Sequence, residues 1–577
     1  MSDPKKDAVD TGMIRFSALT PSPNGKLYSK WTLTGTQQVD TVKLLISPGH
    51  SIPIVFVPGI MGSNLCNDKN DPVWLLNSTG NIPTALLRAW VGKSAAVRQK
   101  VLHPDRTQVY KFGRVPKKNA GSGIDVGTYI RRGWGEVSEA SYHKFLIWLD
   151  EKMNARRNPL DWTDFRHESS SEFSAEKTKG SEKLASGIVM SMNGMPTLAE
   201  NGFPVEPITS DELLKRCKFS FPVYAFGYNW LRSNEEGAKL LQARIEKIIS
   251  ENNKGHISCE QVMVVTHSMG GLVARACAQL PGMKEKILGI VHGVMPAVGA
   301  AVAYRRCKVG MADEDYIAGL VIGSTGKEIS AVFAQSPGAL QLLPSEEYGI
   351  RWLEIEDSSG RYNQSLPQSD PYEEIYLERN KWWGLINEDW LNPVDGEPIE
   401  WGMYVVNIKM ARGFHRKISG FFHPNTFVFY GGGNDKKSFL KIKWIIKKGL
   451  PPHSKFGPSP TLSQVSGMRH GSVRTDGSNN VYVGGESTSN TTTRGDSSVY
   501  TSKETSFWEM RCAPHDSAGD GTVPLRSGGF PREAGARNIL QQFELPGVSH
   551  EPAYRDHPIA QQVTYYSLTK LAALARI

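Results

Sequence analysis

A serine between an apolar run and a helix-like stretch constrains this chain more than any other feature. Residues 262–265 are all apolar, Ser268 follows, and a helical pattern begins at Gly270. A strand, a sharp turn that carries the serine and an immediate helix form a nucleophile elbow, in which the serine has strained backbone angles. Such a turn needs small residues on both sides of the serine: Gly270 meets this requirement, and Thr266 stands where glycine is usual. The alternative is a serine that caps an ordinary buried helix.

A second apolar run, residues 52–57, fits a central parallel strand that is buried on both faces. It leads into the loop 58–65, which contains Gly59 and Gly62. Glycines let a main chain approach a reacting carbonyl closely. The alternative is an ordinary Pro-Gly turn after a strand.

These two segments predict an oxyanion hole built from main-chain amides. When an elbow serine reacts, the residue after it supplies one N–H donor and the loop after an early strand supplies the other. We therefore predict donors at Met269 and at Ile60, with Met61 as the alternative to Ile60.

The acid and the base should follow the serine, in that order along the chain. Asp520 lies in the glycine-bearing segment 518–524 and is the predicted acid. Asp516 is a local competitor without flanking glycines. The predicted base is His550, because it follows a strand-like stretch at 538–545 and precedes a helix-like one at 560–577. His557, closer to that helix, is better explained as a capping or surface histidine.

Together these segments predict an α/β fold: an α/β-hydrolase core with a mostly parallel sheet and large cap or lid insertions. In this core His550 would take the proton of Ser268, and Asp520 would orient the imidazole. No metal and no cofactor is needed for this chemistry. The acidic residues 313–315 lack the ligand spacing of a calcium site.

The order of the motifs predicts one core that is interrupted by insertions. The predicted division is an N-terminal extension (1–50), a first core segment (51–155), cap insertion 1 (156–215), a second core segment with the elbow (216–297), cap or lid insertion 2 (298–425) and a third core segment (426–577) with a flexible loop at 455–505.

Insertion 2 contains two apolar stretches, 298–303 and 317–322, of the kind that forms lids over lipase sites. A plain buried cap is an equal alternative. Its tryptophans at 382, 383 and 390 fit either an interfacial patch or a core. Beyond this insertion, residues 436–448 alternate apolar residues with lysines, which favours a hairpin with 426–430 over a helix on a membrane surface.

Composition excludes other classes of protein. The net charge of +9 comes from 67 basic and 58 acidic residues, and no nucleic-acid motif accompanies it, so attraction to anionic phospholipid surfaces is the better interpretation. The six cysteines have neither metal nor disulfide-framework spacing. The first residues lead into no apolar segment, so we expect synthesis in the cytoplasm without a signal peptide.

Four further segments, together with the elbow, carry a family resemblance. They occur in the family's order at residues 57–65, 226–232, 335–344 and 519–524. The chain resembles lipases similar to lecithin:cholesterol acyltransferase in these segments. It departs from them at Thr266, and at Asn229, where aspartate is usual.

More closely, the chain resembles the lipase effectors of bacterial type VI secretion, fourth Tle family, which are also similar to GPI inositol deacylases. The resemblance implies a phospholipid-degrading antibacterial toxin of phospholipase A type. Its implied partners are membrane phospholipid, components of the secretion apparatus and a cognate immunity protein, with action in the target cell, in the periplasm. Alternatives are an acyltransferase, another ester or thioester hydrolase, or a non-enzymatic binding toxin on a hydrolase scaffold.

Overall fold

The structure is a computed structural model that describes most of the chain, with gaps. It describes residues 48–77, 90–117, 125–154, 205, 208–314, 323–357, 363–393, 399–447, 473–474, 478–492, 499–535 and 537–576, and short strands between 14 and 45. Most of the predicted cap insertion 1, the apolar stretch 317–322 and several stretches of the loop 455–505 therefore lie outside the described residues.

The strands are short, apart from one long pair near residue 500. They are β1 (Ile14–Ala18), β2 (Thr20–Pro21), β3 (Leu27–Tyr28), β4 (Thr41–Leu45), β5 (His50–Ser51), β6 (Ile54–Val57), β7 (Leu65–Cys66), β8 (Pro72–Trp74), β9 (Gln108–Val109), β10 (Phe219–Ser220), β11 (Val223–Ala225), β12 (Val262–His267), β13 (Ile287–Gly293), β14 (Leu353–Asp357), β15 (Asn363–Leu366), β16 (Thr426–Gly432), β17 (Lys437–Ser438), β18 (Ile442–Lys447), β19 (Val473–Arg474), β20 (Asn480–Thr492), β21 (Val499–Cys512), β22 (Ser517–Ala518) and β23 (Ile539–Pro546).

The described α-helices lie between these strands or follow the last of them. They are α1 (Ala95–Val101), α2 (Val126–Arg131), α3 (Lys144–Asn154), α4 (Ser210–Arg216), α5 (Asn234–Asn252), α6 (Gly270–Ala278), α7 (Met283–Lys286), α8 (Ala301–Val309), α9 (Gly326–Phe333), α10 (Pro337–Leu340), α11 (Trp401–Ile418), α12 (Leu525–Gly535), α13 (Ala553–Asp556) and α14 (Pro558–Leu574). A π-helical turn, Glu139–His143, runs directly into α3.

The central sheet has six described strands in the order β11-β6-β12-β13-β16-β23, and all of its neighbouring pairs are parallel. β6, β12, β13 and β16 are buried along their whole length, which is why they read as apolar runs in the sequence. The predicted α/β fold with a mostly parallel sheet is thereby confirmed.

Both faces of this sheet are covered. Val55 and Val264 belong to an apolar cluster on one face, and Phe56 and Val265 belong to a second cluster on the other. Neighbouring residues of one strand point to opposite faces, so each strand feeds both clusters. The helix α5 packs on the first face, and the C-terminal helix α14 packs on the second.

The predicted hairpin between 426–430 and the residues near 442 is wrong. Both segments are strands, but β16 lies in the central sheet and β18 in another sheet, next to β14 and β21. The burial patterns give the reason: β16 is buried throughout, whereas β18 alternates buried and half-buried residues. The rejected membrane-surface helix is also absent from residues 442–447.

The second sheet has the order β15-β14-β18-β21-β20-β19. It joins strands from residues 353–366 with strands from residues 442–512, on the two sides of β16 in the chain. Within the loop predicted to be flexible, residues 480–492 and 499–505 instead form the paired strands β20 and β21. β20 and β21 are consecutive in the chain, whereas the pairing of β21 with β18 is long-range, and the local Ser/Gly/Thr composition reveals neither.

The described portion of insertion 2 is well packed. Residues 298–303 are almost entirely buried, and α8 starts among them. Trp382, Trp383 and Trp390 are all buried, which supports the core interpretation and excludes an exposed aromatic patch. Among the helices that the structure describes, none has the length and hydropathy of a membrane span.

Candidate active site

The turn after β12 has the strained backbone that an elbow requires. Ser268 has a φ of 51°, a left-handed conformation that is rare outside glycine. Its amide donates to the carbonyl of Gly293 at 2.9 Å, which ties the turn to β13. A Cβ at Gly270 would collide with the carbonyl oxygens of Val57 and Pro58. Gly270 is therefore required by the contact between α6 and β6.

Thr266, which replaces the usual glycine, is accommodated by a partner. Its side chain is fully buried, and its hydroxyl lies 2.8 Å from Nδ1 of His292 on β13. Burial lowers the pKa of His292 to about 3, so this histidine is neutral in the fold. The departure from the motif therefore adds a buried polar contact and does not obstruct the turn.

The three predicted catalytic side chains meet in space. His550 Nε2 lies 2.9 Å from Ser268 Oγ, and His550 Nδ1 lies 2.8 Å from Asp520 Oδ2. A carboxylate can only accept, so His550 carries its proton on Nδ1 and its Nε2 accepts from the serine hydroxyl. Ser268 is 4% exposed and Asp520 2%, whereas the His550 side chain is 15% exposed.

The loop that carries Asp520 orients its carboxylate. Oδ1 accepts from the amides of Thr522 and Val523 at 2.9 and 2.7 Å, which leaves Oδ2 for His550. Gly521 has a φ of 93°, so the turn favours glycine at that position. The competitor Asp516 accepts from the amides of Leu440 and Lys441 instead, and it has no contact with His550.

His550 lies on the loop between β23 and α13, and its amide donates to the carbonyl of Asp520 at 2.9 Å. The second histidine of this region, His557, accepts from the amide of Ala560 and caps α14. The structure therefore gives His557 the capping position that we predicted for it.

Of the three predicted oxyanion donors, Met269 directly follows Ser268, whereas Ile60 and Met61 lie in the loop 58–65, whose Gly59 adjoins Ser268 and which we call the oxyanion loop after this predicted role. Within the described residues, the amides of Ile60, Met61 and Met269 have no hydrogen-bond acceptor. Met61 has a φ of 63°, and the indole of Trp74 donates to its carbonyl at 2.9 Å. An amide without an internal acceptor, beside a nucleophile, is suited to bind a developing oxyanion. The oxyanion roles of all three remain predictions.

Two residues that sequence reasoning missed also contact the site. His267 Nδ1 lies 3.0 Å from the hydroxyl of Tyr142, and His267 Nε2 lies 2.8 Å from the carbonyl of His550. His267 was visible as the neighbour of Ser268. Tyr142, in the π-helical turn, has no sequence signal that connects it to the elbow.

An apolar cavity opens beside the oxyanion loop. Met61 lines it together with Trp74, Leu102, Trp230, Val332 and Phe333. The cavity therefore favours an apolar group over a polar one.

Acidic residues near the cap are engaged in ion pairs. Glu314 pairs with Arg305 and Arg306, and Asp313 also pairs with Arg305. Across the residues that the structure describes, no group of three or more His, Cys, Asp or Glu side chains is placed to hold a metal ion.

Comparisons with known proteins agree with this fold. Residues 190–309, which include Ser268 but neither Asp520 nor His550, match the family model described as a PGAP1-like alpha/beta domain. No curated protein matches the chain significantly. Among solved structures, the chain is similar to one in the crystal structure of the Tle4-Tli4 complex: the identity is 24% and the TM-score 0.67, over 91% of this chain and 99% of that chain. The chain therefore shares the α/β-hydrolase fold of that structure, as the resemblance in its sequence predicted.

Proposed function

We propose that this protein is a serine-dependent acyl-ester hydrolase that degrades phospholipids, of phospholipase A type. The observation that carries the proposal is the contact of Ser268, His550 and Asp520 in one hydrogen-bonded series. Ser268 lies more than 250 residues before Asp520 and His550 in the chain, yet the three side chains are in contact and have the donor and acceptor roles that nucleophilic catalysis needs.

In the proposed acylation step, Ser268 Oγ attacks the ester carbonyl while its proton moves to His550 Nε2. Asp520 stabilises the resulting imidazolium, and the amides of Met269 and Ile60 or Met61 bind the oxyanion. The ester C–O bond then breaks, and the leaving alcohol takes the proton from His550.

In the proposed second step, water attacks the acyl-serine. His550 takes a proton from this water, the tetrahedral intermediate collapses, and the fatty acid leaves as Ser268 recovers its proton. An alcohol in place of water would give acyl transfer by the same chemistry.

The apolar lining beside Met61, next to the loop that would hold the oxyanion, is compatible with a lipid substrate. The cavity itself has a free volume of only about 10 Å³, so an acyl chain would have to displace lining side chains to occupy it. The surplus of basic residues would also favour anionic phospholipid surfaces.

The resemblance extends the proposal to biology. We propose that the protein is an antibacterial effector delivered by type VI secretion that attacks membrane phospholipid in the target cell. Tle4 assembles with Tli4 in the similar structure, and we propose a corresponding immunity protein for this chain.

The test is the hydrolysis of mixed phospholipid vesicles by the wild type and by Ser268→Ala. We expect fatty acid and lysophospholipid from the wild type and a loss of several orders of magnitude in the variant, because the nucleophile is gone. Mass spectrometry of the products identifies which ester is cut. Ser567→Ala is the matched control, because among the described residues this buried hydroxyl bonds only within its own helix, to the carbonyl of Val563.

Equal product formation by wild type and Ser268→Ala would contradict serine dependence. If the wild type cleaves a short-chain ester but no phospholipid, the hydrolase proposal stands and the lipid assignment fails. Toxicity that persists in folded Ser268→Ala would favour the binding toxin.

A further inference from the structure

A single series of hydrogen bonds connects the three loops around Ser268. The amide of Gly59, in the oxyanion loop, lies 3.3 Å from the hydroxyl of Tyr142. That hydroxyl lies 3.0 Å from His267 Nδ1, and His267 Nε2 lies 2.8 Å from the carbonyl of His550. The series therefore begins at the oxyanion loop, passes beside the nucleophile and ends at the base.

Only one arrangement of protons satisfies all of these contacts. The carbonyl of His550 can only accept, so the proton of neutral His267 must be on Nε2. His267 Nδ1 then accepts from the hydroxyl of Tyr142, and the same oxygen accepts from the amide of Gly59. Every N–H and O–H in the series points away from the oxyanion loop and toward the base.

The packing leaves no room for other side chains at these positions. A Cβ at Gly59 would lie 2.9 Å from His267 Nδ1 and 2.9 Å from the Cβ of Ser268. A Cβ at Gly62 would lie 2.7 Å from the hydroxyl of Tyr142. The side chains of His267 and Tyr142 therefore require glycine at positions 59 and 62. The sequence alone does not show this requirement.

Tyr142 and His267 are both buried, and both are neutral. Burial raises the pKa of the Tyr142 phenol well above its usual value. Burial, and after it repulsion from the His550 ring whenever that ring is protonated, lowers the pKa of His267 to about 3. Tyr142 also lies in a π-helical turn, a rare element that is enriched at functional sites.

We infer that Tyr142 and His267 are positioning residues for the hydrolytic site. They hold the oxyanion loop and the backbone of His550 at a fixed separation on the two sides of Ser268. The inference rests on the proposed function, since it needs Ser268 and His550 to react together. Neither residue touches the reacting atoms.

The covalent reaction of Ser268 with a fluorophosphonate tests this inference without any lipid. In this reaction the bond from Ser268 Oγ to phosphorus forms, the P–F bond breaks, fluoride leaves and His550 takes the serine proton. The rate constant of labelling therefore reports how well the serine and the base are aligned. Ser268→Ala sets the background.

Tyr142→Phe removes the hydroxyl and leaves two buried partners without a hydrogen bond. We expect the rate constant of labelling to fall by about three- to tenfold, the effect of one net hydrogen bond. The fall should appear in the maximal rate at saturating probe and not in the concentration of probe at half saturation. Tyr404→Phe is the matched control: it removes an equally buried hydroxyl that donates to the carbonyl of Tyr376, and labelling should be unchanged.

Two substitutions of His267 test its two hydrogen bonds separately, the one to Tyr142 and the one to the carbonyl of His550. His267→Asn keeps an acceptor for Tyr142 but loses the donor to His550, whereas His267→Gln keeps that donor and loses the acceptor. We expect both to slow labelling. Combining Tyr142→Phe with His267→Gln should add little to either single change, because both break the same contact.

The result that would overturn the inference is labelling of Tyr142→Phe at the wild-type rate, or a double variant whose loss equals the product of the single losses. Equal slowing of Tyr404→Phe would also overturn it, because the effect would then be one of general stability. If the wild type is labelled but cleaves no phospholipid, the lipid proposal fails and this inference stands. If the wild type is labelled no faster than Ser268→Ala, both fail.

Discussion

At the scale of single residues, some glycines of this protein are tightly packed and others face open space, so substitution by alanine should affect the two kinds differently. Gly270 packs against main-chain carbonyls of β6, whereas Gly413 lies on the exposed face of α11, where an added Cβ would have no neighbour within 4 Å. The same change to alanine should therefore have opposite effects at the two positions.

We expect Gly270→Ala to destabilise the fold by roughly 1–3 kcal/mol, because the backbone of β6 must move. Gly413→Ala should stabilise it by about 0.5–1 kcal/mol, since glycine is a poor helix former. The measurement is the free energy of unfolding in urea. Stabilisation by both substitutions would show that the contact between α6 and β6 can relax freely.

The residues of the site were predictable to different degrees. Ser268, Asp520 and His550 were predicted from their order and from the strands and turns around them, and the structure brings their side chains into contact. Tyr142 was not, because only the three-dimensional fold brings its hydroxyl to His267. The unusual Asn229 has a reason that also needs the structure: its amide donates to the carbonyls of Pro104 and Thr107, which a carboxylate could not do.

At the scale of elements, helix α8 contains a buried ammonium group. Lys308 is fully buried and donates to the carbonyls of Trp382 and Gly384, both at 2.7 Å. Burial lowers the pKa of Lys308 from 10.5 to about 7. Between pH 7 and pH 10.5 the lysine is protonated in the unfolded chain but has released its proton in the folded chain. The free energy of unfolding therefore rises with pH over this range.

We therefore expect the wild type to gain stability relative to Lys308→Met by roughly 1 kcal/mol per pH unit between pH 7 and pH 9. Urea unfolding of both proteins at the two pH values measures this gain. Lys409→Met, at an exposed position on α11, is the control. Its free energy of unfolding should differ from that of the wild type by the same amount at pH 7 and at pH 9. A pH-independent difference for Lys308→Met would contradict the expectation.

The positions of strands and helices were predicted more reliably than the pairing of the strands. β6, β12 and β16 were predicted from apolar runs, β23 from the strand-like stretch 538–545, and α14 from the helix-like C-terminal stretch. The pairing of β18 with β14 could not be read in the same way, because hydrogen bonds between strands that are far apart in the chain leave no local pattern.

At the scale of the whole molecule, one apolar cluster connects the two large sheets. It includes Val55 and Val264 of the central sheet as well as Ile442 and Trp444 of the second sheet. Residues that share one core are expected to lose their packing together. The second sheet should therefore not unfold ahead of the site.

We expect tryptophan fluorescence and fluorophosphonate labelling of Ser268 to be lost at the same urea concentration. Coincident transitions measured by different probes indicate a single cooperative unit. Loss of labelling at a clearly lower urea concentration, with fluorescence unchanged, would show that the site opens separately from the shared core.

The proposed catalytic group also has an order of assembly in time. A ribosome that has translated residue 519 has produced Ser268 but neither Asp520 nor His550. β23 must still add to the edge of the sheet beside β16, and α14 must cover Phe427 and Phe543, before His550 reaches the serine. A nascent chain that ends before β23 and α14 would therefore lack the proposed catalytic group, because His550 could not yet contact Ser268 and Asp520.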